Sequence, residues 1–393
     1  MKIALIHDYL FEYAGSERVI EQILKIFPDA DLFTLFDFLP AGSRGFLAGK
    51  ISRTTFFQNI PFLRRNPPRF LPYTVPLMPF AVEQVDLSGY DLILSSSHSV
   101  AKAVLTGPGQ LHIAYIHSPM RYAWDQYTDY TQSPALRRGV VGTAARAFLT
   151  WIRVWDYRTA NGVDQFVANS QFIARRIYKV YRRESAVIYP PVNIESFPQQ
   201  TEKSDYYLAV SRFVPYKRMD VIINAFREMP GRQLVVIGSG PEEKRLRKLA
   251  GDNIKFLGHQ SQSDLARWMG SARALVQAAQ EDFGITSIEA QSAGTPVIAY
   301  RRGAAQEIIR GIEDPVPTGI FFDVQSPEAV QLAVEEMEDN LREFKPGDCH
   351  ENANRFRADR FRNEFLEFVE TSWSLYHGAL PLPLHAEAPH ERT

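Results

Sequence analysis

The densest group of reactive side chains is Glu281-Asp282-Phe283-Gly284-Ile285-Thr286-Ser287-Ile288-Glu289, directly behind the apolar run Ala274–Gln277. A carboxylate follows a strand-like run, then a glycine, then a helical pattern. The amides of Gly284, Ile285 and Thr286 at such a helix start have no intrahelical acceptor and suit a phosphate. Glu281, ahead of the helix, can accept from sugar hydroxyls, and Glu289, further along it, can reach a nucleotide ribose. Without a ligand, the same acids would merely complement the helix dipole. The second group is Ser211-Arg212-Phe213-Val214-Pro215-Tyr216-Lys217-Arg218, after Tyr206–Ser211. Arg212 with its planar fork and Lys217 as a point charge can clamp a pyrophosphate.

Other signals are weaker. Gly238-Ser239-Gly240-Pro241 begins like a dinucleotide fingerprint, but Glu243 stands where G-x-G-x-x-G needs its third glycine, which argues against NAD. Ala14-Gly15-Ser16-Glu17 opens a helix after the first strand, and Gly15 lets backbone approach a ligand closely. His117 ends the run His112–His117 and is followed by Arg121, Tyr122, Trp124 and Asp125, a polar-aromatic loop of the kind that handles sugars. No Cys/His cluster has zinc spacing. Asp29-Ala30-Asp31 falls between the first helix and the second strand, away from the other signals, and reads as a turn. No metal and no cofactor are expected.

The elements that must position these residues alternate almost throughout. Candidate strands are Lys2–Ile6, Leu32–Phe36, Asp91–Ser95, His112–His117, Gln165–Ala168 and Ala186–Tyr189. In the second half they are Tyr206–Ser211, Gln233–Ile237, Ile254–Leu257, Ala274–Gln277, Pro296–Ala299 and Gly319–Phe322. Near-continuous apolar strands with intervening helices indicate parallel sheets covered on both faces. Two sets of six predict an α/β protein of two doubly wound, Rossmann-like lobes; a single eightfold barrel would not explain the polar, Pro-bearing break from Pro190 to Ser204. The expected domains are a first lobe over 1–195, a second over 205–350, a C-terminal helix over 351–378 packing back on the first lobe, and a flexible tail over 379–393. Ligands bind beyond the carboxyl ends of such strands, so facing lobes create a cleft between them.

Two first-half segments depart from the alternation. Residues 61–79 carry Pro61, Pro67, Pro68, Pro72, Pro76 and Pro79 with Arg64, Arg65 and Arg69 among Phe and Leu, which predicts neither a regular helix nor a central strand. Residues 137–158 read as a helix with Val141, Phe148, Ile152 and Trp155 on one face and Arg138, Arg146 and Arg153 on another.

The chain of 393 residues is 45% hydrophobic and 23% charged, enough for two cores. Forty-four Lys and Arg against 45 Asp and Glu leave no field that would attract nucleic acid. The single Cys349 excludes a disulfide framework. The first residues turn polar too early for a secretory segment, and no run reaches the ~20 apolar residues of a membrane helix. A cytoplasmic location, or a peripheral one on the inner face of the membrane, is the expectation.

With these residues in view, the chain resembles glycosyltransferase family 4, retaining enzymes of the two-lobed GT-B fold. The resemblance rests on Gly15-Ser16-Glu17-Arg18, His117-Ser118-Pro119, Asn169-Ser170, Ser211-Arg212 with Lys217, Gly238-Ser239-Gly240-Pro241, Glu281-x7-Glu289 and Gly294-Thr295-Pro296-Val297-Ile298-Ala299. It implies that Arg212 and Lys217 hold the donor pyrophosphate, and that Glu281 with the Phe283-Gly284-Ile285 backbone holds the donor sugar. It further implies that Glu289 binds ribose and that His117 lies near the transferred sugar. Ala14 departs from the pattern, since many relatives have glycine there. The stretch from His117 to Asp125 together with Phe213–Arg218 is similar to bacterial O-antigen and exopolysaccharide mannosyltransferases. That similarity implies a hexosyltransferase, an α-mannosyltransferase using GDP-mannose, in polysaccharide or lipopolysaccharide biosynthesis. Its acceptor would be a glycan or a polyprenyl-linked glycan at an anionic membrane. Two alternatives stay open at this point: a nucleotide-sugar epimerase on the same fold, and a non-catalytic carbohydrate-binding subunit.

Overall fold

The computed structural model describes residues 1–128 and 139–379. Two wholly parallel sheets organise them. The first has seven strands: β1 (Ile3–His7), β2 (Asp31–Thr34), β3 (Arg53–Thr54), β4 (Leu92–Ser97), β5 (Leu111–Ile116), β6 (Gln165–Ala168) and β7 (Ala186–Val187), in the order β3-β2-β1-β4-β5-β6-β7. The second has six: β8 (Tyr206–Val210), β9 (Gln233–Ile237), β10 (Ile254–Gly258), β11 (Ala274–Gln277), β12 (Val297–Tyr300) and β13 (Gly319–Phe322), in the order β10-β9-β8-β11-β12-β13. The expected two sets of six become seven and six. The extra strand, Arg53–Thr54, is two exposed edge residues without an apolar pattern to announce it.

Both sheets reverse their strand order at one point, between β1 and β4 in the first and between β8 and β11 in the second. These are the places where doubly wound sheets open a crevice beyond their carboxyl ends. Central strands such as Leu92–Ser97 and Leu111–Ile116 are buried along their whole length, because helices cover both faces. The helices that matter for the cleft are α1 (Gly15–Ile26), α2 (Gly139–Thr159), α3 (Gln171–Tyr181), α4 (Ile285–Ser292) and α5 (Ala358–Ala379). The helical pattern predicted from Glu351 is in fact two elements, Pro346–Asn354 and α5. Phe361, Phe365 and Val369 of α5 enter the first-lobe core beside Leu5, Ile20 and Tyr115. The chain therefore crosses between the lobes twice.

The proline-rich segment is helical, against expectation. Pro61–Arg65, Pro67–Thr74 and Met78–Glu83 are short helices. Pro61, Pro67, Pro68 and Pro79 sit in first turns, where an N–H would be unpaired anyway; only Pro72 is interior. In α2 the buried face is Leu149, Ile152 and Trp155, while Val141 is exposed. The helix thus packs Ile152 and Trp155 into the first-lobe core, and Arg153 donates to the Ala123 carbonyl (3.1 Å). Arg138 and most of the predicted tail lie outside the described residues.

Candidate functional site

The second lobe contributes two loops from its reversal point. After β8, the turn Pro215–Lys217 places the Lys217 Nζ 2.7 and 2.8 Å from the two oxygens of Glu281, which follows β11. Burial pushes the Glu281 carboxyl up, but Lys217, with Arg121 and Arg212 nearby, holds it below the usual range. The pair is built by close backbone packing. A Cβ on Gly238 would lie 1.9 Å from the Ser211 carbonyl oxygen, so the turn after β9 can lie against the loop after β8 only with glycine there. Gly238 and Gly240 therefore support the Lys217 loop.

Gly284, at φ 104°, caps α4, and the amides of Gly284, Ile285 and Thr286 meet no acceptor among the described residues. The Phe283 side chain is buried between Tyr189 (5.8 Å) and Phe356 (5.6 Å), so its backbone alone remains for a ligand. Glu289 is buried one turn into α4 and pairs with Arg18 of the first lobe at 2.8 Å. Arg212 lies close enough to the Lys217–Glu281 pair for its charge to act on Glu281. Its exposed guanidinium donates to Tyr216 Oη at 3.0 Å and stands 3.8 Å from Glu12.

The first lobe answers with a buried polar network at its own reversal point. Asp8, just past β1, accepts from four successive amides: His98 and Ser99 on Oδ2 (2.7 and 3.0 Å), Val100 and Ala101 on Oδ1 (2.6 and 2.7 Å). His7 joins Glu17 (3.2 Å) to the Ser96 carbonyl (3.1 Å), and Glu17 also accepts from the Ala14 amide (3.0 Å). Burial disfavours the Glu17 charge, yet the hydrogen bond and charge of His7 bring the carboxyl down to about 2. His117 follows β5, and its Nε2 meets Ser96 Oγ at 2.8 Å. Burial, with His98 and His7 nearby, pushes its pKa down to about 3, so the ring is neutral at physiological pH. Gly15 opens α1 and lies against the second lobe: a Cβ there would be 3.0 Å from Ile285 Cδ1.

Several contacts hold the lobes together. Arg121 pairs with Asp282, Arg176 reaches Asp282 (3.1 Å), and Ser170 Oγ donates to the Asp282 carbonyl (2.7 Å). Glu307 of the second lobe caps the first turn of α3, accepting from Gln171 (2.7 Å) and Phe172 (2.8 Å). Sequence reasoning missed Asp8, Arg176 and Glu307. Each acts on a partner 90 or more residues away, and no local pattern marks it. The turn before β2 leaves Asp31 on the strand, where it accepts from Tyr90 Oη (2.5 Å). Among the described residues no cluster of His, Cys, Asp and Glu has the arrangement of a metal site.

Residues 15–196 match the family described as Glycosyltransferase Family 4, and residues 191–356 match Glycosyl transferases group 1. One relative is the GDP-mannose-dependent monoacylated alpha-(1-6)-phosphatidylinositol monomannoside mannosyltransferase of Corynebacterium glutamicum. It is 34% identical over 152 residues, covering 35% of this chain and 39% of the relative. Another is the D-inositol 3-phosphate glycosyltransferase of Mycobacterium marinum, 26% identical over 43% of this chain and 42% of the relative. The chain spans about two-fifths of the length of these curated relatives. Among solved structures, Anabaena HepE in complex with UDP superposes with TM-score 0.67 at 17% identity, covering 94% of this chain and all of that one. The sucrose-phosphate synthase of Thermosynechococcus elongatus gives 0.66 at 16% identity over 95% of this chain and all of that one. The fold is GT-B.

Proposed function

The chain belongs to glycosyltransferase family 4, and from that membership we propose that it is a retaining transferase moving a sugar from a nucleoside-diphosphate donor to an acceptor hydroxyl. The observation that carries this reading is the Lys217–Glu281 pair beside the unpaired amides of Gly284, Ile285 and Thr286. A diphosphate entering there exchanges partners: Lys217 and the amides take the phosphates, and Glu281 turns to the sugar hydroxyls. A nucleoside diphosphate leaves readily, so charge stabilisation by Lys217, Arg212 and α4 does the work that an acid would do elsewhere. The acceptor oxygen attacks the anomeric carbon on the face the diphosphate leaves, and a departing phosphate oxygen takes the acceptor's proton. Neutral His117 lies across the cleft as a hydrogen-bonding group for the transferred sugar. With cations and amides neutralising the diphosphate, the reaction needs no metal.

Mannose from GDP-mannose is the donor we favour. Two kinds of support are the similarity of the 117–125 and 213–218 segments to mannosyltransferases and the GDP-mannose-dependent names of relatives from Corynebacterium glutamicum and Mycobacterium tuberculosis. Lipid-linked glycans of bacterial polysaccharide or lipopolysaccharide assembly are the acceptors, met at the inner membrane face. No helix among the described residues is long and apolar enough to cross a membrane. The first lobe instead exposes Phe62, Tyr73, Leu77 and Phe80 next to exposed Arg64, Arg65 and Arg69, a surface suited to anionic headgroups. The testing experiment is a product assay with GDP-mannose, UDP-glucose and UDP-GlcNAc, each with and without EDTA. Mannosyl transfer that survives EDTA is expected. Transfer from a UDP-sugar alone would replace the donor, and abolition by EDTA with rescue by Mg²⁺ would overturn metal independence.

A further inference from the structure

Asp282 and Glu289 are the carboxylates of the 281–289 segment that the second lobe leaves with no cation of its own, and of the two Glu289 is the buried one. Its partner is Arg18, on the second turn of α1 in the first lobe, through Nη2 and Oε1 at 2.8 Å. The pair is only half used. Arg18 Nη1 and Glu289 Oε1 are both buried with no hydrogen-bond partner among the described residues, the Nη2–Oε1 contact being an ion pair. One donor and one acceptor therefore stand side by side at the interface of the lobes. Around them, the start of α1 and the start of α4 touch through Gly15 and Ile285. On its other side Arg18 lines a polar cavity of about 430 Å³ together with Tyr13, Gln22, Asn193 and Arg362. Burial raises the Glu289 carboxyl and Arg18 opposes that rise.

A vicinal diol matches this arrangement: one hydroxyl donates to a carboxylate oxygen while its neighbour accepts from a guanidinium. We propose that Arg18 is a residue for ribose recognition supplied across the cleft, holding Glu289 and completing with it a diol site for the donor nucleoside. The proposal rests on the donor reading above and extends it: the ribose site is complete only when the two lobes meet, so donor binding and lobe closure are one event. Nothing on α4 itself supplies this cation.

Calorimetric titration of the full chain with GDP and with 2′,3′-dideoxy-GDP tests it, with UDP and its dideoxy analogue as the parallel pair. The wild-type chain should prefer the ribose form of its nucleotide about tenfold to a hundredfold, the range a charged hydrogen bond sets. Arg18→Ala should shrink that preference below about threefold, and Glu289→Gln should do the same. Combining the two should add little, because coupled residues are not additive. Arg18→Lys, which keeps the charge, should restore part of the preference, and it decides the matter if Arg18→Ala does not fold. A wild-type preference undiminished in Arg18→Ala, or no wild-type preference at all, overturns the proposal while leaving the donor reading intact. No binding of either diphosphate to the wild-type chain overturns the donor reading and this proposal with it.

Discussion

The two lobes present opposite kinds of polar surface to the cleft. The first lobe satisfies itself: Asp8 is saturated by four amides of its own lobe, and His7 and Glu17 neutralise each other. The second lobe gathers Glu281, Asp282 and Glu289 within nine residues but pairs only Glu281 with a cation of its own, Lys217. Arg121, Arg176 and Arg18 come from the first lobe. The difference teaches that the first lobe is prebuilt, whereas the second is electrostatically complete only when closed. An unpaired buried carboxylate is costly, so the second lobe gains from anything cationic that approaches, whether first-lobe arginine or substrate-bound counter-charge.

The sharpest way to break this comparison is to remove the cation that the second lobe does own. Lys217→Ala leaves Glu281 without its ammonium and takes one cation from the proposed diphosphate site. Its turnover should fall about a hundredfold or more, as loss of one or two charged hydrogen bonds implies. Arg212→Ala, with an exposed side chain engaged by Tyr216, should cost about tenfold or less. Equal rates in the two variants would erase the distinction between the half-buried and the exposed cation.

Next in size is the first lobe's internal network. Asp8→Ala strands four amides at the carboxyl end of β1, and urea unfolding should show a loss of about 2–4 kcal/mol. Nucleotide affinity in the folded variant should stay within about twofold, since Asp8 spends all its oxygens inside the lobe. A stable variant that instead lost nucleotide binding would place Asp8 in the ligand's path and undo the contrast.

The smallest effect concerns the outer surface of the first lobe. Each basic residue near an anionic leaflet contributes about 1 kcal/mol. Neutralising Arg64, Arg65 and Arg69 together should reduce flotation with anionic vesicles, and added salt should mimic it. Absence of wild-type binding to anionic and neutral vesicles alike would remove the membrane from the proposed acceptor's location. The helix α2 adds less to that surface than its pattern promised, because Ile152 and Trp155 face the core.

Much of the architecture is legible along the chain, because a buried parallel strand must be apolar on both faces and so stands out against its helices. Gln165–Ala168, Gln233–Ile237, Ala274–Gln277 and Gly319–Phe322 are predicted with the bounds they have. Proline was misleading in residues 61–79, since composition cannot tell a first-turn proline from an interior one. The candidate residues after β8 and β11 are visible because loops at strand ends carry charge where a core would forbid it. Their pairing is not visible: Lys217 and Glu281 are 64 residues apart.

The sequence by itself determines two doubly wound lobes, a break between them, and a carboxylate-rich helix start opposite a basic loop. Periodicity and helix-end chemistry are local, and local order survives reading in one dimension. Only the tertiary structure decides which charge serves which: Arg18 for Glu289, Arg121 and Arg176 for Asp282, Glu307 for the start of α3. Coulomb attraction and hydrogen bonding act over a few ångströms of space. Space between the lobes is set by the chain crossing near residue 190 and returning through α5, not by distance along the sequence.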